Sequence, residues 1–167
     1  MKKIKEEGQL RSTGSFVIRT NDSEPLKIEV GNTFGFFIKE ASHARSFRDL
    51  NKIIGRGLPY RSVRLLMNFL DLTTQEIADL TGVSQRTITR WNEESIIGVL
   101  PSKNLVKVDS LVHRGIEVFG SENAFKAWLQ QPNIALGDDK PIDLFSTPYG
   151  AELVEDALEA MEYGNVM

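Results

Sequence analysis

No cysteine occurs in the 167 residues, which removes disulfides, thiolate zinc sites and cysteine nucleophiles together. Histidine is nearly as scarce. His43 and His113 lie 70 positions apart in different surroundings, too little material for a histidine-based metal site or a catalytic triad. No apolar run approaches the roughly 18–20 residues of a membrane span. The opening MKKIKEEGQL has no apolar stretch behind its lysines, as a secretory leader would. No glycine-rich phosphate loop follows a strand. Asp138-Asp139, between Gly137 and Lys140, reads as a turn rather than a metal pair. These absences predict a soluble cytoplasmic chain that is not an enzyme, with no cofactor, no metal and no membrane contact.

What is present is a hydrophobic content of 41% and a charged fraction of 26%, enough for one ordinary core or two small parts sharing one. The net charge of −3 hides an asymmetry. Residues 41–70 carry Arg45, Arg48, Lys52, Arg56, Arg61 and Arg64 against Asp49 alone, whereas residues 121–167 carry nine acids against Lys126 and Lys140. A basic middle and an acidic end point to two different partners, one of them a polyanion.

The first forty residues have no helical period. Turn signals at Thr13-Gly14, Asn21–Pro25 and Gly31-Asn32 separate short β-type runs at Phe16–Ile18 and Lys27–Val30, which predicts an extended arm or hairpin. Phe34, Phe36 and Phe37 would dock it. From Ser42 the pattern turns helical: Phe47, Leu50, Ile53 and Ile54 share a face, and Pro59 opens a helix with Val63, Leu66, Met67 and Leu70 inward. Three short helical segments are expected up to Ser95. Pro101 reads as a break, followed by a long helix with Leu105, Val108, Leu111, Val112, Ile116 and Phe119 on one side. Ser121 caps the next helix, which turns Ala124, Phe125, Trp128 and Leu129 inward. In the last helix Thr147 is the cap, Pro148 the first residue and Gly164 the left-handed stop. The predicted fold class is all-α: a helix-turn-helix region at 42–104 and a small helical domain at 105–167, with an extended arm at 1–41.

The segment TQEIADLTGVSQRTITRW, Thr74 to Trp91, reads as a helix-turn-helix. Thr73 or Thr74 caps the first helix, Ala78 is small where two helices meet, Gly82 allows the positive φ of the turn, and Val83 fills the angle behind it. Ser84 caps the second helix, and Ile88 and Trp91 hold it on the core. Its outer side then carries Gln85, Arg86, Thr87, Thr89 and Arg90, side chains suited to base edges and phosphates. With Gln75 and Ser84 they form the expected DNA-binding set.

From Val118 to Gly164 the chain resembles the toxin-binding domain of the Xre/MbcA/ParS antitoxins. The resemblance rests on Phe119-Gly120, Ala124, Trp128-Leu129, Pro132-Asn133, Leu136-Gly137, Pro141, Leu144, Gly150, Val154, Leu158 and Tyr163-Gly164, with a helix-turn-helix directly upstream. It extends over roughly Ile53 to Gly164. One stretch departs from it: Pro101-Ser102-Lys103-Asn104-Leu105 stands where a Ser-(Asp/Glu)-Arg-like run is usual. The resemblance implies a bacterial antitoxin that covers the active site of a RES-domain, NAD-degrading toxin and represses its own operon. Its partners would be that toxin and operator DNA, in a homodimer or a toxin–antitoxin hetero-oligomer. The toxin-facing residues expected from it are Glu152, Glu155, Glu159 and Glu162 on the last helix, with Tyr163, Val166 and Met167 beyond. The alternative is a stand-alone phage-type repressor whose C-terminal part only oligomerises.

Overall fold

The computed structural model describes residues 34–164, together with the backbone of two short strands nearer the N-terminus. The chain divides into two compact units, Met1–Gly31 and Asn32–Met167. In the first, Ser15–Ile18 (β1) pairs antiparallel with Leu26–Glu29 (β2), Phe16 opposite Ile28 and Val17 opposite Lys27. The expected β-type runs therefore form a hairpin.

The second unit is helical throughout its described residues. Its helices are Lys39–Ser42 (α1), Phe47–Gly55 (α2), Tyr60–Leu70 (α3), Thr74–Thr81 (α4), Gln85–Ile88 (α5), Val99–Phe119 (α6), Glu122–Leu129 (α7), Pro141–Leu144 (α8) and Pro148–Glu162 (α9), with a 3-10 turn at Ile134–Leu136. The long α6 is the organising element and packs against α2, α4, α7 and α9. Leu105, Val108, Leu111, Val112 and Ile116 give it an almost fully buried stripe. The sequence position 104/105 lies inside this helix, so the helix-turn-helix and the C-terminal helices share one core.

Local sequence explains most helix starts. Ser46, Thr73, Ser84, Ser121 and Thr147 each accept a backbone N–H three residues on, and each such cap contributes about 1 kcal/mol. Elsewhere the structure corrects the reading. Pro101 does not break the chain; it lies in the first turn of α6, behind the N-cap Gly98, where a missing N–H costs nothing because that donor has no intrahelical acceptor. Pro59 is the extended N-cap of α3, one residue before the helix. Two helices, not three, stand between Leu70 and Ser95. The expected third is a turn in which Ser95 Oγ accepts from the Asn92 N–H at 2.9 Å and Asn92 Oδ1 accepts from the Glu94 N–H at 3.0 Å, side-chain bonds that compete with helix. Phe47, as the first residue of α2, is 68% exposed, and Leu50 is the one residue of that helix in the core. Ala124 is exposed, while Phe125 and Leu129 are buried and Trp128 half-buried.

Phe36 and Phe37, expected to dock the arm, are part of the core of the helical unit, with Ile38 beside them. Their backbone is held by Asp109 of α6. Its Oδ2 accepts from the N–H of Phe36 at 2.7 Å and of Ile38 at 3.1 Å, and its Oδ1 from that of Phe37 at 2.9 Å. One helical turn on, His113 stacks on the Phe36 ring at 5.0 Å. The clue was in the sequence: Asp109 falls at the inward spacing 105, 109, 112, 116.

Candidate nucleic-acid interface and acidic helix

Across α4, the turn and α5, the caps, the turn glycine and the inward residues have their expected physical roles. Thr73 and Glu76 form a reciprocal capping box, with Glu76 Oε2 accepting from the Thr73 N–H at 2.7 Å. Gly82, at φ 69°, takes the left-handed conformation that the turn demands. Ser84 Oγ accepts from the Thr87 N–H at 3.3 Å. Ile88 is buried, and Trp91 leans on Tyr60 with ring centroids 5.6 Å apart. The second helix itself is only Gln85–Ile88, and turn-type backbone bonds carry Thr89, Arg90 and Trp91 onward.

That packing leaves Gln85, Arg86, Thr87, Thr89 and Arg90 exposed, with Ser84 and Gln75 beside them. Gln85 Nε2 donates to Gln75 Oε1, and Gln75 Nε2 donates to Asp79 Oδ1 at 2.7 Å, so the two glutamine amides are oriented before any ligand arrives. Neither Arg86 nor Arg90 is ion-paired to a described residue. The wider basic region is less open than its composition implies. Arg61 pairs with Glu94 at 3.2 Å and Arg64 with Glu93 at 2.6 Å, which leaves Arg45, Arg48, Lys52 and Arg56 as its exposed cations without an ion pair to a described residue. On a duplex, Arg86 can form a bidentate contact to a guanine. Arg86→Ala should weaken binding to a cognate site by about 1–3 kcal/mol and relax one base position. A gel-shift series over site variants measures both effects.

The acidic end is built on α9. Ala151, Val154, Ala157 and Leu158 are buried against the core, and Leu153 and Met161 are half-buried. The stripe Glu152, Glu155, Glu159 and Glu162 lies outside, but most of it is compensated. Lys107 of α6 donates to Glu155, and Arg114 of α6 lies 2.8 Å from Glu162 and 3.9 Å from Glu159. The exposed Glu152 has no such partner among the described residues. Tyr163 closes the helix, 69% exposed, and Gly164 follows at φ 70°. Val166 and Met167 lie outside the described residues. The Lys107 and Arg114 pairs had no local signature, because each joins positions 48 apart or nearly so.

Two family models match the chain at these two places. The model of the antitoxin Xre-like helix-turn-helix domain matches residues 49–95, and that of the antitoxin Xre/MbcA/ParS C-terminal toxin-binding domain matches residues 114–164. The chain belongs to the Xre/MbcA/ParS antitoxins. The exposed polar set of this antitoxin falls wholly in the first match, and its α7–α9 region, with Arg114, in the second. Among solved structures, the antitoxin is similar to a chain of the M. tuberculosis MbcT–MbcA toxin–antitoxin complex. The identity is 23% and the TM-score 0.45, over 63% of this chain and 94% of that one. No curated protein matches. Among the described residues of the antitoxin, no helix is long and apolar enough to cross a membrane.

Proposed function

We propose that this antitoxin works by binding alone, in the bacterial cytoplasm, with two partners. Its C-terminal helices neutralise a cognate toxin, and its helix-turn-helix represses the operon that encodes both. The observation that carries this reading is the matched toxin-binding domain directly downstream of a helix-turn-helix whose Arg86 and Arg90 are exposed and ion-paired to no described residue. Operator reading needs two copies of the motif, because one short helix spans too few base pairs and half-sites usually lie about one helical turn apart.

The toxin we infer, on the resemblance, is a RES-domain enzyme that degrades NAD. A cleft that holds a pyrophosphate must present cationic groups, and the stripe from Glu152 to Glu162 gives approach a complementary field. Tyr163, with Val166 and Met167 beyond it, is the segment assigned to cover that cleft. Deleting residues 163–167 should restore toxin activity in cells that express both proteins equally. The same truncation should leave the thermal melt and operator affinity unchanged, since Tyr163 contributes little to the core. If the truncated chain still protects, the contact lies instead around Trp128, whose half-buried ring sits beside Phe119 and Phe125.

A further inference from the structure

One groove of the antitoxin lies between the helix-turn-helix and the acidic helix, and borders the latter at Glu152. It measures about 340 Å³ and runs between the end of α4, the first half of α6 and the start of α9. Its wall is mostly apolar, with Leu80, Leu100, Val108 and Phe145. Lys107 stands in the same wall but is already joined to Glu155. Two further charges line it, Lys103 from α6 and Glu152 from α9. Both are exposed, and neither is ion-paired to the other or to any described residue.

Beside the groove the surface is unusually greasy. Ile96, Val99 and Leu100 lie within five consecutive residues and are 62%, 52% and 58% exposed. Large aliphatic side chains gathered in this way mark interaction sites rather than ordinary solvated surface.

We propose that this groove is the self-association surface of the antitoxin, and that its occupant is a second copy of the same chain. The copies meet about a two-fold axis. The Leu100 edge of each enters the groove of the other, and Lys103 faces Glu152 of the partner subunit at both ends of the contact. The argument is charge complementarity. In a two-fold contact every residue pair occurs twice, so a patch with one free cation and one free anion around an apolar floor complements itself. A foreign partner of single-sign charge would leave one of the two opposed by its own sign. A cationic toxin cleft would meet its own sign at Lys103 here. Pairing here also brings together two helix-turn-helix motifs, because Leu80 lies in the last turn of α4 and Leu100 stands in the first turn of α6.

Sedimentation equilibrium on the full chain without toxin tests the proposal, and its failure would leave the neutralisation reading standing. The wild type should show a concentration-dependent monomer–dimer equilibrium. Lys103→Glu alone, or Glu152→Lys alone, should weaken it by about tenfold or more, since each places like charges across both ends of the contact. The double exchange K103E/E152K should return the dissociation constant to within about threefold of wild type, a rescue that no folding defect imitates. A wild type that stays monomeric at every concentration would overturn the proposal. So would single exchanges that leave the equilibrium unchanged, or a double exchange that fails to recover.

Discussion

Replacing Asp109 with alanine should destabilise the antitoxin by about 3 kcal/mol, a loss that denaturant unfolding reads directly. The carboxylate serves three backbone N–H donors on Phe36, Phe37 and Ile38, all within 3.1 Å. Those residues are almost wholly shielded from water, so alanine would strand three donors, each costing about 1–3 kcal/mol. Relief of the buried charge works the other way. Burial pushes the Asp109 carboxyl up to about 6, against the pull of its three N–H partners, a penalty of about 3 kcal/mol at neutral pH. The stranded donors outweigh it where water cannot reach them. The asparagine variant keeps one oxygen and should lose less.

The same group sets a pH dependence. With the folded value above the ordinary 3.8, the folded chain holds more protons than the unfolded one through the window from 3.8 to about 6. The contribution of Asp109 to stability is therefore fully present below 3.8 and is lost as pH rises through 6. His113 acts in the opposite sense. Its burial lowers it below 6.5, partly offset by Glu117, so its contribution is present above 6.5 and is lost as pH falls through its folded value. The two partly cancel in the wild type. Subtracting the stability profile of Asp109→Asn from that of wild type between pH 4 and 7 should isolate the Asp109 share: the difference should shift in favour of wild type toward acid by about 2 kcal/mol, and a difference that stays flat would show that the carboxyl is not the titrating group.

Gly115→Ala should be nearly as damaging. Gly115 lies inside α6, a little more than one turn before its end, where alanine would ordinarily gain about 1 kcal/mol of helix propensity. A Cβ there would stand 2.1 Å from Phe125 Cε2 and 2.4 Å from its Cζ. Phe125 is wholly buried between α6 and α7 and packs near Phe119 and Trp128. The ring cannot rotate away without entering its aromatic neighbours, so α7 must move off α6. Overpacking of this kind costs about 1–3 kcal/mol and sometimes more, which outweighs the propensity gain. Thermal unfolding should fall accordingly, and toxin binding should weaken through the displaced Trp128. Gly55→Ala is the matched control. Nothing lies within 4 Å of a Cβ at that position, so the exchange should be neutral or slightly stabilising.

Where the sequence and the structure agree, the information is local. A cap spans four residues, a left-handed turn needs one glycine, and an amphipathic stripe repeats every turn. Thr73, Gly82, Ser84, Ser121, Thr147 and Gly164 were legible for that reason, and so was the exposed set from Gln85 to Arg90. Pro101 misled because proline is forbidden inside a helix but free in its first turn, and the start of α6 at Val99 has no side-chain cap to announce it. Phe47 misled because a helical period says which side of a helix is apolar, not how far along its length the core extends.

The sequence by itself thus determined the helix-turn-helix, the family and the acidic character of the last helix. Only the tertiary structure decided which charges are free to act. The contacts of Asp109 with Phe36–Ile38 span 71 to 73 positions, and those of Lys107 and Arg114 with α9 span 48. No residue pattern within a turn or two encodes such a meeting. It follows from how α6 packs against its neighbours, and that packing is what compensates Glu155 and Glu162 while leaving Lys103 and Glu152 without an ion pair to a described residue.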